Sequence, residues 1–397
     1  MGLLSTLDFY SELEHGKTAD SSEVEYRLYS WGEIYPPFIG DREHSIAARI
    51  ILREYPFKLF SSSKPYDDPL PQKLSLTFKA PYEVKKDSEN FQSGGIFPNE
   101  IANEFSAFLS VVTRRRIFAS KQVRYDGLPL EEEADIYVRS QSQERQRLKE
   151  IDPNQIYHLL RNLQSIDRNI ANGYVLAIRL YHTAVQMLYT EPEFSYLFMV
   201  MCLEAISSVV YKDYQPPDKN IFLDSRYSGW KDIANQLSQE KQNTFIALLL
   251  KNEKYTFRKI VNFVQEYLPE SYWLETEDDA KPDYLIRVIG VGPDGQGEEK
   301  IEHSDISLQE YERLDRNNIE ETLRYIYSAR SKLIHEGKRF PAGIVIGHFR
   351  RVPAKAFIEM MEIKSKQLNN SYPKVPPLLT FERLVSISLV NYLMNQG

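Results

Sequence analysis

The stretch Ile326-Tyr-Ser-Ala-Arg330-Ser-Lys-Leu-Ile-His335-Glu-Gly337-Lys-Arg339 reads as the end of a helix. Ile319, Leu323, Ile326 and Leu333 recur at helical spacing and predict a core-facing stripe. Gly337 suits the position just past the last turn. Arg330 falls about 40° from Ile326 around the helix axis, within that stripe. A guanidinium there faces another helix and needs a partner. His335 instead lies over Ser331 and Ser328, on the polar side, in the last turn, where the helix dipole favours a positive imidazole.

Outward from this segment the chain is helical from about residue 150 to 397. Asp152-Pro153 opens a helix, with Asp as cap and Pro at the first position. Ile156, Leu159, Leu160 and Leu163 form its stripe. Further helices are expected over about 167–189 and from Pro192 to Tyr211. Two more helical runs fall in 229–268, and one runs from Asp305 to about His335. After a short β-like piece, Ala342–Ile346, helices are expected near 354–368 and 380–394. Residues 213–304 look inserted, and 271–304 hold nine acidic and three basic residues. Gly290-Val-Gly292-Pro-Asp-Gly295 matches G-x-G-x-x-G but continues Gln-Gly-Glu-Glu-Lys, without the apolar helix a dinucleotide fold needs. It reads as a flexible hairpin tip or surface loop.

Residues 1–135 are mixed. A helix is expected over Leu3–Glu14, and strands over Val24–Tyr29, Ile50–Leu52, Leu74–Phe78 and Gln122–Tyr125. A helix opened by Pro98 should run to about Ile117, making Arg114-Arg115-Arg116 a solvated face or an anion contact. The expected fold class is α+β: a mixed α/β N-terminal domain, suited to sensing or regulation, followed by an all-α bundle over 150–397.

The chain has 397 residues, a net charge of −7 and one cysteine, Cys202. The acidic average excludes a broad basic nucleic-acid coat. A single cysteine excludes an intrachain disulfide and a multi-cysteine zinc site, which fits a reducing cytoplasm. Met1 to Tyr10 lacks the pattern of a signal peptide. Tyr196 to Tyr211 carries Glu204 and is shorter than the roughly 20 apolar residues of a membrane span, so no membrane is expected. Seven histidines show no metal-ligand spacing, and P-loop, H-E-x-x-H and G-x-S-x-G motifs are absent. No cofactor is expected.

Glu204 is the only charged residue between Phe194 and Tyr211, and Arg330 is its obvious partner. Arg330 and His335 are about 140° and about 7.5 Å apart on an ideal helix, so one helix cannot aim both at one atom. Two such helices at a two-fold axis could. Arginine would hold a phosphate, and histidine would move the proton of a ribose 2′-hydroxyl. Around them, 329–356 carries Lys332, Lys338, Arg339, Arg350 and Arg351 within a local charge of +6.

Arg330-Ser-Lys-Leu-Ile-His335 resembles the R-x4–6-H motif of the HEPN superfamily. Its setting, Tyr-Ser-Ala-Arg-Ser-Lys-Leu-Ile-His-Glu-Gly, and the earlier Leu203-Glu204-Ala205 helix are similar to the Apea-like branch. The resemblance spans about 150–397, with 213–304 as an insertion. It implies a helical bundle that acts as a homodimer or higher homo-oligomer. It further implies metal-independent RNA cleavage at the interface, and a role in toxin or antiphage defence. Arg330 and His335 would be catalytic, with Glu204, Ser331 and Tyr327 in support. Lys332, Lys338, Arg339, Arg350 and Arg351 would contact RNA, and the N-terminal domain would take a phage or regulatory trigger. A non-catalytic dimerisation or RNA- or nucleotide-binding module is the alternative.

Overall fold

The computed structural model describes residues 2–16, 21–31, 34–35, 50–54, 56–61, 72–81, 98–125, 149–150, 152–188, 190–214, 228–251, 255–274, 286–291, 297–302, 316–340, 375–376 and 378–397. In chain order come α1 (Leu3–Glu14), β1 (Ser21–Trp31), β2 (Ile34–Tyr35), β3 (Ile50–Leu52), β4 (Phe57–Ser61), β5 (Gln72–Pro81), α2 (Pro98–Thr113), β6 (Arg116–Tyr125) and β7 (Lys149–Glu150). Then follow α3 (Pro153–Ser165), α4 (Arg168–Met187), α5 (Pro192–Val210), α6 (Lys231–Asn235), α7 (Gln239–Lys251), α8 (Thr256–Tyr267) and α9 (Ser271–Leu274). The hairpin β8 (Ile286–Val291) and β9 (Gly297–Glu302) precedes α10 (Ile319–Glu336) and α11 (Leu378–Met394). The fold is α+β.

Val24, Tyr26 and Leu28 alternate with more exposed residues along β1, the signature of a half-buried strand. β1 pairs antiparallel with β5, in the register Val24 to Phe78, Tyr26 to Leu76 and Leu28 to Leu74. The sheet order is β3-β4-β5-β1-β6. Helix α2 covers the apolar face, where Phe105 stacks on Phe57 with ring centroids 4.2 Å apart. Ser106, Ser110 and Thr113 are buried on α2, and each hydroxyl donates to the carbonyl four residues back. That satisfies groups which would otherwise be costly to bury.

α2 ends at Thr113, four residues before the expected end at Ile117. Arg114 takes a left-handed backbone, φ 55°, and breaks the helix. The arginine triplet is therefore not a solvated helix face. Arg114 forks onto Glu382 of α11, with Nη2 to Oε2 2.8 Å. Arg115 is buried, and Arg116 donates to the Gln186 carbonyl at 3.3 Å.

Asp152 caps α3 through the Asn154 N–H at 2.9 Å, with Pro153 in the first turn. Asp167 caps α4 through the N–H groups of Asn169 and Ile170. α4 and α5 pass closely because Gly173 lacks a side chain: a Cβ there would lie 2.5 Å from a Val209 methyl. α5 reaches the length and apolarity of a membrane span, 19 residues at mean hydropathy 1.5, because it starts at Pro192, four residues before the apolar run counted from Tyr196. Ser195, Tyr196, Met199, Cys202, Leu203 and Ile206 on it are nevertheless buried, and it packs against α4, α8, α10 and α11.

One continuous hydrophobic core joins the sheet, α1 and α2 to the later helices. α8 lies inside 213–304, yet Ile260, Val261, Phe263 and Val264 are core residues. The glycine-rich loop joins β8 to β9, which pair from Ile286 with Glu302 to Val291 with Gly297. A strand, not a helix, follows its glycines, as the hairpin reading expects. The β-like piece at 342–346 and the helix near 354–368 lie outside the described residues.

Candidate functional site

α10 presents its apolar stripe to α5 and α8. Ile319, Thr322, Leu323 and Ile326 are buried, and Leu333 packs against the core at its edge. The helix stops at Gly337, whose φ of 64° is left-handed. Its N–H donates to the Leu333 carbonyl at 3.2 Å, and that of Lys338 to the Lys332 carbonyl at 3.2 Å. Three residues on, Phe340 is buried, its ring 5.0 Å from that of Tyr196. Lys338 and Arg339 are thus held outward between a helix cap and an aromatic anchor.

Arg330 meets Glu204 of α5, with Nη2 to Oε2 2.9 Å and only 20% and 17% of the two side chains exposed. This is the partnership that the position of Arg330 on the stripe demands. Two effects oppose each other at Glu204. Burial raises its pKa above the ordinary value, while the Arg330 charge and hydrogen bonds from Arg330 and Tyr327 pull it down; burial prevails. The Arg330 guanidinium also lies 5.6 Å from the centre of the Tyr327 ring. Tyr327 in turn packs against Phe257 of α8, centroids 5.8 Å apart. Tyr327 therefore braces the ion pair from the side. Arg330 Nε is buried and has no hydrogen-bond partner among the described residues.

His335 is exposed in the last turn, on the polar side of α10. Ser331 is half-buried one turn below it, and Lys332 is exposed. Lys338 pairs with Glu336 at 2.6 Å. Arg350 and Arg351 lie outside the described residues. Arg330 and Glu204 thus form a braced, partly buried unit, with His335, Lys332, Lys338 and Arg339 at the solvent side of the same helix end. Among the described residues no group of three His, Cys, Asp or Glu side chains is arranged to hold a metal ion.

Of the other histidines, His182 is half-buried and its Nε2 donates to the Ile117 carbonyl. Burial lowers its pKa. His158 contacts Asn162 at 3.3 Å. His182 is a packing residue, and His158 is an exposed surface residue. Sequence reasoning missed a second polar centre, where Glu382 of α11 accepts from Arg114 and from the Tyr181 hydroxyl. Glu382 and Arg383 interrupt an apolar run, the same signal that singled out Glu204. No family model, curated protein or solved structure matches the chain.

Proposed function

We propose that the chain is a metal-independent endoribonuclease of the HEPN type, built as an HEPN-like helical bundle that works as a homodimer. Its setting is a cytoplasmic toxin or antiphage defence system, with the N-terminal sheet receiving the trigger. The observation that carries this reading is the Arg330–Glu204 pair beside an exposed His335 at one helix end. Glu204 and Tyr327 fix the guanidinium before any substrate arrives, which lowers the ordering cost of holding a phosphate. Lys332, Lys338 and Arg339 supply positive charge beside it.

In the proposed reaction His335 takes the proton of a ribose 2′-hydroxyl. The 2′-oxygen attacks the adjacent phosphorus, and the bond to the 5′-oxygen breaks. The leaving 5′-oxygen takes a proton from water, whose hydroxide then recovers the proton held by His335, so the products are a 2′,3′-cyclic phosphate and a 5′-hydroxyl. Arg330 stabilises charge on the phosphoryl oxygens. Because Arg330 and His335 diverge around one helix, two copies of α10 would be needed to surround one phosphate.

A second reading is a dimerisation or RNA-binding module that does not cut. It is favoured by how far Glu204 already occupies Arg330. Incubating RNA with the protein in EDTA separates the two. Cleavage by the wild type, lost in His335→Ala, supports the nuclease. RNA bound but intact under every condition supports the module, and cleavage that survives His335→Ala contradicts the assigned chemistry.

A further inference from the structure

Away from α10, a cavity of about 210 Å³ opens between the end of α2, the α8–α9 junction and α11. That far exceeds the roughly 10–15 Å³ needed for one water. Arg114 and Arg383 stand in its wall, with Ser271, Tyr272, Ser386 and Asn391, and none of the described lining residues is acidic. Arg383 is only 2% exposed. Its guanidinium lies 4.3 Å from the centre of the Tyr272 ring and donates to the Tyr272 carbonyl at 3.4 Å. Arg114 is fixed by its fork onto Glu382, whose other hydrogen bond comes from Tyr181. Both cations are therefore held in place by neighbours. Glu270, next to the lining residue Ser271 in the chain, is engaged with Arg316, and Ser271 is exposed.

We propose that this cavity binds the phosphate group of a small phosphorylated ligand. Arg383, with Arg114 beside it sharing its charge with Glu382, leaves this group of described residues net positive, which favours a compact anion, and phosphate accepts hydrogen bonds from arginine in the geometry a guanidinium offers. Low local dielectric strengthens that attraction. The volume admits the phosphate and part of its attached group, not a nucleic-acid strand. The site touches α2, which covers the sheet, and α11, which contacts α5 and α8. A ligand here would couple the N-terminal sheet to the helices that carry α10.

The test uses the full chain and inorganic phosphate as the probe. Thermal unfolding is followed in phosphate and in chloride at matched ionic strength. The midpoint should rise with the logarithm of phosphate concentration in the wild type and equally in His335→Ala. The rise should disappear in Arg383→Gln and in Ser271→Asp, which places a carboxylate at the exposed rim without disturbing the core. Equal midpoints in phosphate and chloride would overturn the proposal. So would a rise that persists in Ser271→Asp, or one that vanishes in His335→Ala. Should Arg383→Gln not fold, the Ser271→Asp result decides alone.

Discussion

Arg330 of α10 and Glu204 of α5 are 126 residues apart in the chain and 2.9 Å apart in the fold. Each is charged, largely buried and set in a mostly apolar interface, so neither is tolerable without the other. Truncating one leaves its partner charge partly stranded. Arg330→Ala and Glu204→Ala are each expected to lower stability by about 1–3 kcal/mol, below the range for fully buried pairs because both side chains keep some solvent contact. The double variant should cost less than the sum, with a coupling of about 1 kcal/mol, read from urea unfolding of all four proteins. Full additivity would mean that the pair contributes no mutual stabilisation.

Gly337 ends α10 with a backbone that side-chain-bearing residues adopt at a cost. Gly337→Ala should destabilise the protein by about 1 kcal/mol through strain alone, since its Cβ would meet nothing within 4 Å. The damage should concentrate in the last turn. Amide hydrogen exchange at Gly337 and Lys338, protected by the Leu333 and Lys332 carbonyls, should accelerate in the variant, while exchange in α4 stays unchanged.

His182 is half-buried, and desolvation pushes its pKa below the ordinary 6.5, favouring the neutral ring. The unfolded chain therefore binds this proton more readily than the folded one. The site's contribution to stability is complete above pH 6.5 and is lost as pH falls through the lower folded value. Urea midpoints should drop on acidification in that window. His182→Gln should flatten this part of the profile, and an unchanged slope would show that other groups set it.

Much of the architecture is legible because local chemistry and tertiary packing agree. Leu3–Glu14 is recovered to the residue, and the starts of α3 and α5 are announced by Pro153 and Pro192. The Arg330–Glu204 contact follows from helical geometry and the cost of a lone charge in an apolar helix. Strand β4 was missed because Phe57-Lys-Leu-Phe-Ser61 is short and borders a serine run. β9 was not singled out because Gly-Glu-Glu-Lys-Ile-Glu offers one β-branched residue, Ile301, among charged ones. The end of α2 was misplaced because nothing local marks Arg114 as left-handed. Its conformation accompanies a partner, Glu382, 268 residues away. The cavity between α2 and α11 was invisible for the same reason: its two arginines converge only in the folded chain. At the candidate site, the residues on α10 could be singled out from spacing alone, whereas the bracing of Arg330 by Tyr327 and the anchoring of Phe340 on Tyr196 depend on where α5 and α8 lie.

The central claim is that Arg330 and His335 drive attack by a ribose 2′-hydroxyl. Its most direct test is the fate of an RNA oligonucleotide and its fully 2′-O-methylated counterpart, each incubated with the wild-type protein in EDTA, with product ends identified by mass. The unmodified RNA should yield fragments ending in a 2′,3′-cyclic phosphate, and the methylated strand should remain whole. Cutting of the methylated strand, or fragments that carry a 5′-phosphate and a free 3′-hydroxyl, would contradict the mechanism.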